Sequence, residues 1–374
     1  MPPLAQRNLF HDKVRLAVTL TGIVFAVVLI VVELGLFVGF TVTTSNLIDN
    51  SGADLWVTSK HVPYVEQGVP FSERKVYQVR AVPGVAKAEK LITRWVEWKR
   101  PDGRQESVQV VGLNVDENLG RPWNLVQGRV EDLKRPDAII MDEIYRQKLG
   151  VDHAEQVFEI NGKRARVVGF TQGIRAFTTS PYVFTTFKRA QEYANVPDDQ
   201  TTYILVKLAP GANPEQVRHD ILDRVKDVDV VTNREFSRMT QFYWMFTTGA
   251  GVAVLLAALL GLVVGFVVVA QTIYATTMDH LREFGTLKAM GAPNSYVYKV
   301  IIKQAAISAV IGYFLGMIVS VFVVHASQKG GAAILMPTPM AIGMFFLTLF
   351  MCVGAALVSI NKVTRLDPAM VFKG

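Results

Sequence analysis

The sequence predicts a membrane α-helical protein: four transmembrane helices carrying a large extracytoplasmic α+β domain. Two observations fix the spans. Charged side chains are absent from Met239 to Met278 and from Gly330 to Asn361, while Leu16 to Ile48 carries only Glu33 and Gln304 to Gln328 only His325. Crossing a hydrocarbon core of ~30 Å takes about 20 apolar residues, because a backbone polar group left unpaired in lipid costs several kcal/mol. A third observation fixes the side. The short segments hold Arg7, Lys13, Arg15, Arg282, Lys288, Lys299, Lys303, Lys362, Arg365 and Lys373 against only Asp12, Asp279, Glu283 and Asp367. Basic residues mark the cytoplasmic face, so both termini are expected inside and the long insert outside.

The expected division is a cytoplasmic amphipathic entry helix at 1–15, span 1 at 16–48, an extracytoplasmic domain at 49–240 and span 2 at 241–273. A cytoplasmic loop at 274–299, span 3 at 300–325, a short outer loop at 326–340, span 4 at 341–361 and a tail at 362–374 complete it. The competing reading of the N-terminus is a cleavable signal peptide. That needs an apolar core of about 7–15 residues and a small-x-small site. Leu16 to Phe40 is longer and ends in Gly-Phe-Thr-Val-Thr, which favours a retained span.

The formal net charge of +7 belongs to the topology: 49–240 holds 28 basic and 27 acidic residues, close to neutral. The charge therefore gives no support for a nucleic-acid partner. Cys352, the single cysteine, falls in span 4, so the outer domain has no disulfide and must be held by apolar burial.

Within that domain, strand and helix signals alternate. Asp54 to Thr58 reads as a strand. Ser72 is placed to cap a helix ending before Pro83-Gly84. Val85 to Lys99 reads as a long strand, and Pro101-Asp-Gly turns it into a partner at Glu106–Leu113. Thr202 to Leu208 is a strand, Asn213-Pro214 opens a helix to Val225, and Val228 to Val231 is a strand again. The middle is strand-dense, at Ala138–Met141, Gln156–Ile160, Arg164–Phe170 and Tyr182–Thr185, with Asn161-Gly162 as a two-residue hairpin turn. An α+β lobe from both flanks, 49–113 and 202–240, is expected to carry a mainly β insert at 114–201.

Chemistry is mostly absent. No Gly-x-x-x-x-Gly-Lys-[Ser/Thr] phosphate loop occurs, no His-x-x-x-His pair and no Gly-x-Ser-x-Gly elbow. No catalytic, cofactor-binding or metal-binding residues are assigned. The loop between spans 2 and 3 is richer. Met278 to Met290 has helix-forming composition, Gly291 suits a left-handed stop and Pro293 the first turn of the next helix. Leu281 and Phe284 share one flank, with Asp279, Arg282, Glu283 and Lys288 on polar flanks. Such a helix suits docking into a groove of a cytosolic partner, and equally suits simple anchoring at the membrane surface.

Leu281-Arg-Glu-Phe-Gly-Thr-Leu-Lys-Ala-Met-Gly-Ala resembles the loop signature of FtsX-like permeases. Val363-Thr-Arg-Leu-Asp-Pro-Ala-Met-Val-Phe is similar to their C-terminal segment, with Phe372 where leucine is more usual. Leu4 to Leu16 resembles their entry helix. These are the membrane subunits of MacB-type ABC systems, and the absence of a fused ATPase makes the chain most similar to the DevC-type branch.

The resemblance implies paired permeases, as a homodimer or with a related copy, and a separate cytosolic ATPase dimer that binds ATP. It implies a porter lobe bearing a sabre lobe, a periplasmic adaptor and an outer-membrane channel, and location in a bacterial inner membrane. Leu281, Arg282, Glu283, Phe284, Gly285, Lys288 and Gly291 become the ATPase-coupling residues. The implied role is a non-catalytic permease exporting a lipid-like or other amphiphilic cargo. Division-type signalling to a cell-wall hydrolase and lipoprotein release remain the alternatives.

Three small-xxx-small pairs, Gly35/Gly39, Gly261/Gly265 and Gly312/Gly316, permit close helix contact. Glu33 is the one carboxylate within a span. Such groups cost ~2.5–3.5 kcal/mol on insertion scales, so a mechanistic role stands beside interface packing or reach to the boundary.

Overall fold

The computed structural model describes residues 13–178, 180–279, 285–286, 290, 292–328 and 334–364. It divides into a membrane unit, residues 1–38 with 252–374, and a second unit of residues 39–251. The expected entry helix before Lys13 and the tail beyond Thr364 lie outside the described residues.

Among the described residues, four helices are long and apolar enough to cross a membrane: span 1 (Leu16–Thr44), span 2 (Ala250–Asp279), span 3 (Asn294–Ser327) and span 4 (Thr338–Val358). Span 1 supplies the core of the membrane unit. Ile23, Ala26, Val27, Ile30 and Val31 recur at helical spacing and are fully enclosed among Val269, Ile273, Val297, Ile301, Ala305 and Ala309. Large apolar side chains on the other faces, such as Leu260, Phe322 and Phe350, are exposed, as helices bathed in lipid require. Thr19 and Thr276 share a hydroxyl–hydroxyl bond of 2.8 Å between spans 1 and 2. Tyr313 of span 3 donates to the Ala341 carbonyl of span 4 at 2.9 Å.

The described residues of the second unit contain twelve strands: β1 (Leu55–Thr58), β2 (Phe71–Ser72), β3 (Val85–Lys99), β4 (Gln105–Leu113), β5 (Leu125–Gln127), β6 (Ala138–Asp142), β7 (Val157–Ile160), β8 (Lys163–Thr171), β9 (Tyr182–Thr186), β10 (Gln200–Thr201), β11 (Tyr203–Leu208) and β12 (Asp229–Thr232). Its main helices are α1 (Lys75–Arg80), α2 (Phe187–Tyr193), α3 (Pro214–Arg224) and α4 (Asn233–Phe242). The strands β1, β3, β11 and β12 run in the order β12-β1-β11-β3, all neighbours antiparallel. With α1 joining β1 to β3 and α3 joining β11 to β12, this is a split βαβ arrangement. Its helices and sheet enclose Leu55, Val57, Val76, Val79, Ile204, Val206, Val217 and Ile221.

The sheet does not stop there. The first half of β3 pairs with β11, whereas Ile92–Lys99 pairs with β4. From β4 the ladder passes to β9, β6, β8 and β7, and Trp98 and Lys99 of β3 meet Ile160 and Glu159 of β7. Six strands thus close into a ring, which leaves them no free edges along the closed path. The β-rich part therefore draws on Ile92–Leu113 as well as on the middle segment.

Because side chains alternate across a strand, these strands supply two cores. Ile92, Val96, Trp98, Val108, Val110, Ile139 and Met141 build one. Leu91, Val111, Leu113, Ile140 and Phe184 join the other. The hairpin turn read at Asn161-Gly162 is present, with both residues at positive φ, 46° and 77°. Asn213 caps α3 through the Glu215 amide at 3.0 Å, with Pro214 in the first turn. The expectation at Ser72 is corrected: it lies in β2, paired with β10, and α1 begins only at Lys75 without a side-chain cap. The Glu73 amide bonds to the Asp199 carbonyl at 2.8 Å, so the backbone there is committed to the neighbouring chain before the helix begins.

Candidate functional site

Of the residues expected to couple to an ATPase, Leu281, Arg282, Glu283, Phe284, Lys288 and Gly291 lie outside the described residues. Gly285 is described and is half-buried. Among the described residues, no group of three or more His, Cys, Asp or Glu side chains is placed to hold a metal ion.

The membrane glycines are notches for side chains of span 1. A Cβ built on Gly312 would lie 2.5 Å from Ile23 Cγ2, and one on Gly316 2.8 Å from Val27 Cβ. A Cβ on Gly265 would lie 2.8 Å from Ile30 Cδ1, and one on Gly261 2.9 Å from Glu33 Cγ. Spans 2 and 3 therefore grip span 1 through glycines four residues apart, with the aliphatic stem of half-buried Glu33 seated on Gly261. Gly35 receives the segment before span 4: its carbonyl accepts the Leu335 amide at 3.1 Å, and Ile334 occupies the space a Cβ would need. Gly39, in the second unit, accepts the Thr43 hydroxyl at 2.7 Å. So at five of the six named glycines a neighbouring segment of this same chain fills the space a Cβ would need, which is a tighter assignment than the general close helix contact expected of them.

Sequence reasoning missed a second constellation, in the unit of residues 39–251. Val65–Gln67 forms a single 3₁₀ turn in which Glu66 is only 5% exposed. The indole N–H of Trp244 donates to its carboxylate at 3.3 Å. Tyr64 stacks on Tyr243 with ring centres 4.0 Å apart, Trp244 packs on Phe177 at 4.3 Å, and Phe177 meets Phe40 edge-on at 5.5 Å. The adjoining Val65 carbonyl accepts the buried Tyr203 hydroxyl at 2.9 Å, and the Tyr182 hydroxyl is buried without a partner among the described residues. Burial pushes the Glu66 carboxyl up to about 7, partly opposed by its bonds from the backbone and from Trp244. Burial likewise raises the Tyr64 phenol to about 12.

The partner of Glu66 sits on unusual backbone. After α4 the chain makes one π-helical turn, Tyr243–Thr247, and then Gly249 at φ 77° before span 2 starts at Ala250. The uncharged run read from the sequence as a span from residue 241 is thus interrupted at its start. Single π turns recur at functional positions in helices. The sequence does signal α4: Thr232-x-x-Glu235 is a capping box, with the Thr232 hydroxyl and the Glu235 carboxylate each bonding the other's backbone amide at 3.2 and 2.9 Å. Nothing local marks Glu66 as buried.

Family models match both parts of the chain. A model of the MacB-like periplasmic core domain matches residues 16–224, and one of the FtsX-like permease C-terminal region matches residues 255–368. The chain is 25% identical over 381 residues to an uncharacterized ABC transporter permease of Mycobacterium tuberculosis strain H37Rv, covering 99% of each chain. It is 25% identical over 374 residues to a second such permease of that strain, again covering 99% of each. Among solved structures it is similar to the periplasmic region of MacB from Actinobacillus actinomycetemcomitans, at 10% identity and a TM-score of 0.39, over 52% of this chain and 96% of that one. With four candidate spans among its described residues and a family model covering more than half its length, the chain belongs to the FtsX- and MacB-like ABC transporter permeases, with a MacB-like periplasmic core domain.

Proposed function

We propose that this permease transmits ATP-driven motion from a separate cytosolic ATPase, docked on the loop between spans 2 and 3, to the domain of residues 49–240 on the outer side. In this reading both termini are cytoplasmic, two permeases pair, and the moved cargo is a lipid-like or otherwise amphiphilic molecule delivered with a periplasmic adaptor and outer-membrane channel, as in the DevC-type branch. The observation that carries it is the agreement of the two family matches with the loop signature from Leu281 to Ala292. The chain lacks a phosphate loop of its own, so ATP is assigned to the partner. Size of the outer domain favours export over division-type signalling; lipoprotein release shares the layout and differs in cargo.

Topology is the first thing this reading fixes. In a Cys352→Ala background, a cysteine at Asp102 or Asn161 should react with an impermeant thiol reagent added outside the inner membrane, and one at Asn294 should not. Labelling of Asn294→Cys with protection of the other two would place the large domain inside and end the proposal.

A further inference from the structure

Helix α4 and the π turn after it carry two stripes that nothing else in their unit covers. Met239, Phe242 and Phe246 are 40, 62 and 52% exposed, and the Phe242 and Phe246 rings pack on each other at 4.9 Å. One turn round, Arg234 and Arg238 are exposed at i and i+4 and form no ion pair among the described residues. They border an open concavity of about 630 Å³ shared with Asp49, Asp54, Ser237 and Gln241. Asp54 is already paired with Lys207 at 2.9 Å, whereas Asp49 accepts only the neutral Ser45 hydroxyl at 2.7 Å and keeps its charge, so two guanidiniums face one carboxylate and the balance here is positive.

The chain fixes how far this surface lies from lipid. Phe246 precedes the first residue of span 2 by four positions, and four residues reach at most ~14 Å even fully extended. Phe246 and Phe242 lie about one and two turns before span 2, and Arg238 and Arg234 about three and four. Aromatic rings next to a span with arginines beyond them are the composition of a helix lying in a bilayer interface: rings sit among headgroups while cations meet lipid phosphates. A second copy of the chain docked on this face about a two-fold axis would bring the same guanidinium pair to both sides of the contact. Anionic lipid offers the opposite charge.

We propose that α4 and the π turn after it bind the anionic lipid surface that span 2 enters, with Arg234 and Arg238 on headgroup phosphates and Phe242 and Phe246 at the level of the upper acyl chains. The role of the paired arginines is to make this seating depend on lipid charge.

The test uses the full chain with Cys352→Ala and a nitroxide on Phe242→Cys or Phe246→Cys, in nanodiscs of phosphatidylcholine alone or with phosphatidylglycerol. The same label on Asp102→Cys, at an exposed hairpin tip, is the aqueous reference. At 242 and 246, collisions with oxygen should exceed those with a water-soluble nickel chelate, more so with phosphatidylglycerol, and position 102 should show the reverse. Arg234→Gln with Arg238→Gln should remove the phosphatidylglycerol dependence. Nickel access at 242 equal to that at 102 in both membranes overturns the proposal. Exclusion of both reagents, the mark of a covering protein surface, overturns it as well. A phosphatidylglycerol response that survives the double glutamine change overturns the role of the arginines.

Discussion

Glu66→Gln should stabilise the protein at pH 8 by about 3 kcal/mol and have little effect at pH 4, an unusual sign for a change at a buried residue. The carboxyl is nearly sealed from solvent, and burial raises it from an ordinary value of 4.5 to about 7. The folded state therefore holds this proton where the unfolded chain has released it. Stability from this group is complete below pH ~4.5, declines as pH rises, and is lost once pH passes 7; each pKa unit corresponds to ~1.4 kcal/mol. Glutamine keeps an acceptor for the Trp244 indole and carries no charge, so its stability should not decline over that window. Burial of Asp142 acts in the same direction, with its own hydrogen bonds opposing it, so the informative quantity is the variant curve minus the parent curve. Denaturant unfolding from pH 4 to 8 measures it, and superimposable curves would remove Glu66 from the account.

The double variant Gly312→Leu, Gly316→Leu should break the membrane unit. The space beside each glycine is filled by Ile23 and Val27, both fully buried and both approached at the branched Cβ, which has no freedom to swing away. Overpacking costs ~1–3 kcal/mol per site, so the pair should lose roughly 2–6 kcal/mol or force spans 1 and 3 apart. Gly343→Leu and Gly354→Leu supply the control, since a Cβ at either meets nothing within 4 Å. The thermal aggregation midpoint in detergent should fall sharply for the first pair and hardly for the second; equal loss in both would mean the notches are not what holds span 1.

What the sequence disclosed and what it hid divide along a physical line. Signals carried within a few residues were legible: Asn161-Gly162 with its positive φ pair, the Asn213-Pro214 helix start, and the uninterrupted β pattern from Val85 to Lys99. Relations between distant residues were not. The ring closes where Trp98 meets Ile160, and no local pattern specifies that register. Ser72 has the side chain of a cap, yet pairing with Gln200 claimed its backbone first. The four-residue glycine spacing was visible, while its partners, Ile23 and Val27 in a helix almost 300 residues earlier, were not. Glu66 carries no local mark of burial and is enclosed only because Trp244 and Tyr203 arrive from far along the chain. The residues proposed to couple to the ATPase rest on the loop signature alone.

That coupling is the central claim, and one co-purification measurement reaches it most directly. The chain expressed alone should show no ATP turnover above a mock preparation, and expressed with its nucleotide-binding subunit it should yield a stable, ATP-hydrolysing complex. Burying a large apolar side chain is worth about 1.5–3 kcal/mol, so Leu281→Asp with Phe284→Asp should weaken that association 100-fold or more. Membrane abundance and protease resistance of residues 49–240 should remain those of the parent. Recovery of the ATPase with the parent chain and its loss with the double aspartate variant is the result expected here. Turnover by the lone chain, or a normally inserted double variant that still retains the ATPase, would contradict it.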